Sequence, residues 1–418
     1  MNTSHPRPAA SCDDLQARFA LTRAATESIC APLAVDDYQT QSMTETSPPK
    51  WHLAHVTWFF ETFLLREYLP SYRVFDPRYA FLFNSYYQTL GDMQPRARRG
   101  DLSRPTVDEI LIYRRHVDEA MSSLLASAPP RQAEEFRART VLGLHHEEQH
   151  QELLLMDIKH NFSINPLRPA YREDLPAPVT VPAAPGWLDC AGGEVAVGHA
   201  GGGFCFDNEL PRHRVLLPAH RLAAWLVTNR EYLAFIGDDG YRRPEFWLSD
   251  GWSAVQARGW QCPLYWERVG REWWQFSLGG LRPLAPDEPV CHVSYYEADA
   301  YARWRGKRLP SEFELEAKLA GEPVAGNFLD SGLLHPRGGE PWFGDLWQWT
   351  ASPYVCYPGF RPLPGSIGEY NGKFMCNQYV LRGGSCATPA GHARATYRNF
   401  FYPHDRWQFA GIRLAEDA

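Results

Sequence analysis

The segment INPLRPAYREDLPAPVTVPAAPGW, residues 164–187, divides the chain into two parts of different fold class. It is rich in proline, carries no hydrophobic period and reads as a linker. Before it, four segments place apolar residues every three to four positions: 13–33, 47–69, 104–128 and 131–162. The second opens with Ser-Pro-Pro, a favourable helix entry. Helices with one apolar stripe each hide it against one another, so a four-helix bundle is expected. After about Gly186, glycine, proline and aromatic residues rise, and apolar runs shorten to pieces such as EVAVGH, CHVSYY and FAGIRLA. Short helices are expected over TNREYLAFIG and YYEADAYARWRG. This second part reads as an α+β domain rich in irregular loops. The expected divisions are a helical bundle over 1–165, the linker over 166–186 and the α+β domain over 187–418.

The 418 residues are 44% hydrophobic and include 15 Trp, enough for a core in each part. A formal net charge of −7 with mixed signs argues against nucleic-acid binding, which needs a basic face. The first residues, MNTSHPRPAASCDDLQ, lack the apolar core of a signal peptide, and no stretch has the length of a membrane span. Nine scattered cysteines without a CxxC pair fit reduced thiols, and a cytoplasmic location is expected.

The fourth helical segment contains HHEEQH, residues 145–150. Residues four apart share a helix face, so His146 and His150 can bind one ion. A third ligand must come from elsewhere, and WHLAH in the second segment offers His52 and His55. Spacing alone leaves both open. His145 points about 100° away from His146 on a helix and competes poorly. His160 and His392 read as non-ligands. The pattern His-Glu-x-x-His also belongs to zinc peptidases, where Glu147 would be the general base. The chain after His150 runs through LLLMDIKHNF into the proline-rich segment and shows no third-ligand stretch of that kind. Three imidazoles without a carboxylate leave half an octahedron open, which suits Zn(II) or an Fe(II) that binds oxygen beside its substrates.

These motifs carry a resemblance. WHLAH followed by HEEQHQE resembles the DinB-like domain of the sulfoxide synthases of ergothioneine biosynthesis. FCFDNELPRHRV, PVCHVSYYEADAYARWRGKRLPSEFELEA, FGDLWQWTASPY, YNGKFMCNQ and VLRGGSC are similar to the formylglycine-generating-enzyme-like, C-type-lectin-like domain that follows it in that family. FNSYYQTLGD, PRARRGDLSRPTVDEI and ATYRNFFYPHDRWQFAGIRLA look like the branch that uses free cysteine. RLPSEFELEAKLAG departs from the family's usual stretch and reads as structural.

The resemblance implies an Fe(II) enzyme that joins Nα-trimethylhistidine (hercynine) to a thiol and oxidises the sulfur with O2. The ligands it implies are His55, His146 and His150. Gln149 would touch the trimethylhistidine, and Asn399, Phe400 and Phe401 would line its ammonium end, where aromatic faces attract a quaternary cation. Arg96 and Arg99 would clamp the thiol's carboxylate. Tyr87, supported by Tyr86, would donate a proton to the oxygen species. The partners implied are small molecules alone, with no nucleic acid and no membrane, and no oligomeric state is specified. The sister selenoneine synthases share the iron site and use a selenosugar, so a C–Se bond is the alternative reaction. A zinc hydrolase built on HEEQH is the third. Formylglycine generation is not expected, because the two copper-binding cysteine positions fall at Thr388 and Ala393, leaving Cys386 alone.

Overall fold

The computed structural model describes residues 12–127, 133–176, 180–182 and 185–418. The expected absence of a signal peptide rests on residues outside this set, as do residues 177–179 and 183–184 of the expected linker. The chain forms two compact units. The first holds the chain through Asn161, together with Ala200–Phe204 and Leu363–Tyr370. The second holds Phe162–His199, Cys205–Pro362 and Asn371–Ala418.

The long helices of the first unit are α1 (Cys12–Cys30), α2 (Pro49–Phe60), α3 (Val107–Ala126) and α4 (Ala133–Ser163). Pro49 sits in the first turn of α2, where its missing N–H costs nothing. Thr106 caps α3: its hydroxyl accepts from Glu109 N at 3.2 Å, and the Glu109 carboxylate accepts from Thr106 N at 2.7 Å. Their apolar stripes meet in a core that includes Phe19, Val56, Phe60, Val117, Met121 and Leu144. A β-carbon on Gly143 of α4 would lie 2.7 Å from Phe60 Cε1 and 3.1 Å from Phe59 Cε1, so glycine lets α4 approach α2 closely.

One polar knot ties all four helices. Glu147 of α4 is fully buried and accepts from Arg23 at 2.8 Å, Arg114 at 2.7 Å and Thr26 at 2.7 Å. Arg23 also donates to Thr57 of α2 at 2.9 Å. Beyond Phe60 the helix widens into a π-helical turn, Glu61–Leu65. Glu61 there accepts from Tyr72 and Tyr113 hydroxyls, each at 2.7 Å, and from Phe75 N at 3.0 Å.

In the second unit, strands Asn399–Phe401, Tyr379–Arg382, Trp347–Pro353 and Ala410–Gly411 lie side by side in that order. A three-stranded sheet joins Trp187–Cys190, His220–Ala223 and Ala415–Asp417. Helix Glu312–Leu319, inside RLPSEFELEAKLAG, supplies the buried Glu312 that accepts from Arg382 at 2.7 Å and Arg398 at 2.9 Å. That role is structural. The run CHVSYY is not a strand: Ser294 within it caps helix Tyr295–Trp304, exchanging hydrogen bonds with Glu297. Part of the expected linker is held by this unit, with Tyr171 N bonded to Leu278 O and Val181 N to Arg337 O, each at 2.8 Å. No helix among the described residues is long and apolar enough to cross a membrane.

Candidate metal centre

Helices α2 and α4 bring His55, His146 and His150 together, with one ligand atom from each lying within 4.8 Å of the others. His55 is fully buried, and its Nδ1–H donates to the Phe83 carbonyl at 2.6 Å. That bond fixes the tautomer and leaves a lone pair on Nε2, which faces His146 Nε2 at 3.2 Å. Two imidazole nitrogens at this distance repel unless a proton or a cation lies between them. The single proton of a neutral His146 can fill this gap when no ion is bound, and burial disfavours a second proton on any of the three rings: it pushes His146 down to about 3, and it holds His55 and His150 well below the ordinary histidine value. Neighbouring imidazoles lower the last two further. Three neutral, converging nitrogen donors fit a divalent transition metal.

The remaining histidines of the region have other partners. His52 is outside the triad; its Nδ1 lies 2.9 Å from His150 Nδ1 and its Nε2 lies 3.0 Å from Asp157 Oδ2. The choice between His52 and His55 left open by spacing therefore falls on His55 for the cluster. His145 pairs with Glu148 at 2.7 Å and stacks on Phe204 at 3.9 Å, away from the triad's face. His160 Nδ1 lies 2.6 Å from the Ser42 hydroxyl, and His392 Nε2 lies 3.1 Å from the Tyr397 hydroxyl. Glu147, the general base of a peptidase reading, is bound by two arginines instead. Burial raises its pKa, but Arg114 and Arg23 outweigh burial and keep it below the usual carboxylate range.

Around the triad, Trp51 stacks on His55 at 4.6 Å and receives the Arg99 guanidinium 3.4 Å from its ring centroid. Arg99 is buried and donates to the Ser47 and Ser85 hydroxyls, each at 2.9 Å. Burial, then the Arg96 charge, press against its protonated form, and no carboxylate is among its hydrogen-bond partners. The Asp157 carboxylate acts in the opposite direction. Arg96 is exposed.

Tyr86 has its ring 6.5 Å from His55, whereas Tyr87 packs among Trp58, Phe59 and Phe63; the two hydroxyls are 3.5 Å apart. Burial raises the pKa of both phenols, so both are protonated. Gln149 accepts a hydrogen bond from Tyr370, whose ring lies 5.5 Å from His146. In the second unit, Asn399, Phe400 and Phe401 form a half-buried edge strand, with Phe400 stacked on Tyr354 at 4.1 Å. Cys386 and Thr388 are fully buried, and Ala393 belongs to an apolar cluster with Leu222 and Phe328.

Three partners were not found by reading the sequence. Asp157 had a signal: it lies two helical turns beyond His150, on the same face. Tyr370 had none beyond the motif YNGKFMCNQ that it opens. His52 was visible only as a rival to His55.

Comparison with known proteins agrees with this architecture. Residues 18–154 match the DinB superfamily, and residues 172–341 and 338–418 match the Sulfatase-modifying factor enzyme 1-like domain. The chain is 33% identical to a hercynine oxygenase of Mycolicibacterium thermoresistibile, over 89% of this chain and 87% of that protein. It is 34% identical to a hercynine oxygenase of Mycobacterium tuberculosis, over 89% and 91%. A formylglycine-generating enzyme of Streptomyces coelicolor is 33% identical, but over 41% of this chain and 59% of its own length. With both domains present in this order, and with similarity that runs nearly end to end, the chain belongs to the hercynine oxygenase family.

Proposed function

We propose that this chain is an Fe(II)-dependent oxygenase that joins hercynine to the sulfur of cysteine in ergothioneine biosynthesis, giving a sulfoxide. The stoichiometry closes without a further reductant: imidazole C2–H, R–SH and O2 give C2–S(O)–R and water. The observation that carries the reading is the convergence of three buried, neutral imidazoles in a chain of this family. His55, His146 and His150 would hold the ion, whose bound form supplies the redox chemistry with O2. Gln149, Asn399, Phe400 and Phe401 are assigned to hercynine, the aromatic pair to its quaternary ammonium.

Arg99 and Arg96 are assigned to the thiol's carboxylate. The buried guanidinium, which donates to hydroxyls and to no carboxylate among the described residues, favours an amino-acid thiol over a selenosugar, which has no carboxylate to offer it. Loss of one charge-assisted contact costs about 1.5–3 kcal/mol. Arg99→Leu is therefore expected to raise the KM for cysteine roughly 10- to 100-fold and to leave that for hercynine within about twofold. Steady-state kinetics with each substrate varied in turn decides it, and an unchanged cysteine KM removes the clamp.

Three phenols can hold the proton needed during oxygen reduction. We rank Tyr370 first, on its ring distance of 5.5 Å to His146 and its bond to Gln149, and Tyr86 second, with Tyr87 supporting Tyr86. Tyr370→Phe is expected to cut sulfoxide formation about 10²- to 10⁴-fold, as loss of a general acid does. Its products shift to plain thiol oxidation, while Tyr87→Phe loses less. The opposite order in product analysis returns the role to Tyr87.

The function is tested by loading the protein with Fe(II) without air, then admitting O2 with hercynine and either cysteine or a seleno-glucose. A hercynyl cysteine sulfoxide in the mass spectrum supports the proposal. A conjugate with the selenosugar alone replaces sulfur by selenium. No product and no O2 consumption overturns the oxygenase reading.

A further inference from the structure

We propose that Asp157 and His52 form a positioning pair that sets the tautomer of His150 and so presents its second nitrogen to the ion. The inference rests on His55, His146 and His150 being the ligands.

The hydrogen bonds fix the protons one after another. Asp157 Oδ2 accepts from the backbone N–H of Ser47 at 2.8 Å, so that oxygen is an acceptor. His52 Nε2, 3.0 Å away, therefore carries a proton toward it. Between His52 Nδ1 and His150 Nδ1, 2.9 Å apart, there is room for one proton. If His52 held it, His52 would be an imidazolium with 3% exposure, and the proton of neutral His150 would sit on the nitrogen needed by the ion. If His150 holds it, both rings are neutral, and His150 keeps a lone pair on Nε2. Only the second arrangement leaves His150 a lone pair to share an ion with His55 and His146.

The three ligands differ in what lies behind them. His55 is set by the Phe83 carbonyl. His146 Nδ1 is buried with no hydrogen-bond partner among the described residues. His150 alone is joined to a carboxylate, with a second imidazole interposed. Metal-bound histidines are commonly oriented by a carboxylate or carbonyl, and loss of such a partner weakens metal binding 10- to 100-fold. The anchor of the pair has a second duty: the Ser47 hydroxyl accepts from Arg99 Nη1 at 2.9 Å.

The test is a Co(II) titration of the metal-free full-length protein, followed by its visible absorption, with thermal unfolding measured alongside. His52→Phe removes the acceptor and keeps an aromatic ring in place. It is expected to weaken Co(II) binding 10- to 100-fold and to change the ligand-field band. His52→Asn restores an acceptor near Nδ1 and is expected to recover most of the affinity. A plain packing role predicts no such rescue. Wild-type affinity and band in His52→Phe overturn the proposal. If that variant does not fold, Asp157→Asn decides in its place: weaker binding supports the pair, and unchanged binding overturns it. Failure of the ligand reading looks different, because wild-type protein then binds no Co(II), or His55→Ala binds it unchanged.

Discussion

Glu147→Leu is expected to lower the melting temperature by roughly 10 °C while leaving the turnover of the folded protein intact. Removing one partner of a buried ion pair costs about 3–5 kcal/mol, because a charge remains without compensation. Each kcal/mol is worth about 2–4 °C in a unit of this size. Here two guanidinium groups lose their shared carboxylate, although Asp118 and Glu27 at the margin of the knot still reach Arg23 and Arg114. The measurement separates two chemistries as well as two stabilities. A hydrolase that used Glu147 as its base would lose turnover even in the protein that remains folded. That result would restore the zinc reading of HEEQH.

The second large effect is at the triad. His146→Ala, like His55→Ala or His150→Ala, is expected to abolish turnover and to weaken Fe(II) binding by far more than about a hundredfold. The scale follows from outer partners, whose loss alone costs 10- to 100-fold. His145→Ala, one residue away, is the control and is expected to keep both properties, since His145 is engaged with Glu148 and Phe204. Metal content after desalting, measured beside product formation, checks the set. A His146→Ala protein that retained iron and full activity would mean that the ligands lie elsewhere.

The helices of the bundle were legible because a 3.6-residue period repeats for many turns: residues 131–162 were expected, and α4 runs Ala133–Ser163. The π turn at Glu61 was not, since nothing in ETFLLREYL breaks that period; the widening goes with Glu61 receiving two phenols and an amide from residues 72, 75 and 113. The second domain yielded its class but few of its strands. Its strands are two to seven residues long, too short for a period of two to stand out, and an apolar run such as CHVSYY serves equally as a helix entry. Site residues followed the same rule. His146 and His150 announce each other by spacing. Tyr370 reaches Gln149 across 221 positions, and sequence spacing carries no trace of such a meeting.

Gly143 lies three residues before His146, one turn back along α4, where its missing side chain admits the rings of Phe59 and Phe60. The gap between α2 and α4 is therefore set at a position with no donor atom. Because His55 rides on one helix and His146 on the other, that gap also sets how far apart their nitrogens stand. A single β-carbon at residue 143 would meet Phe60 Cε1 at 2.7 Å, so it would press α2 and α4 apart and carry the two histidines with them, although residue 143 touches neither.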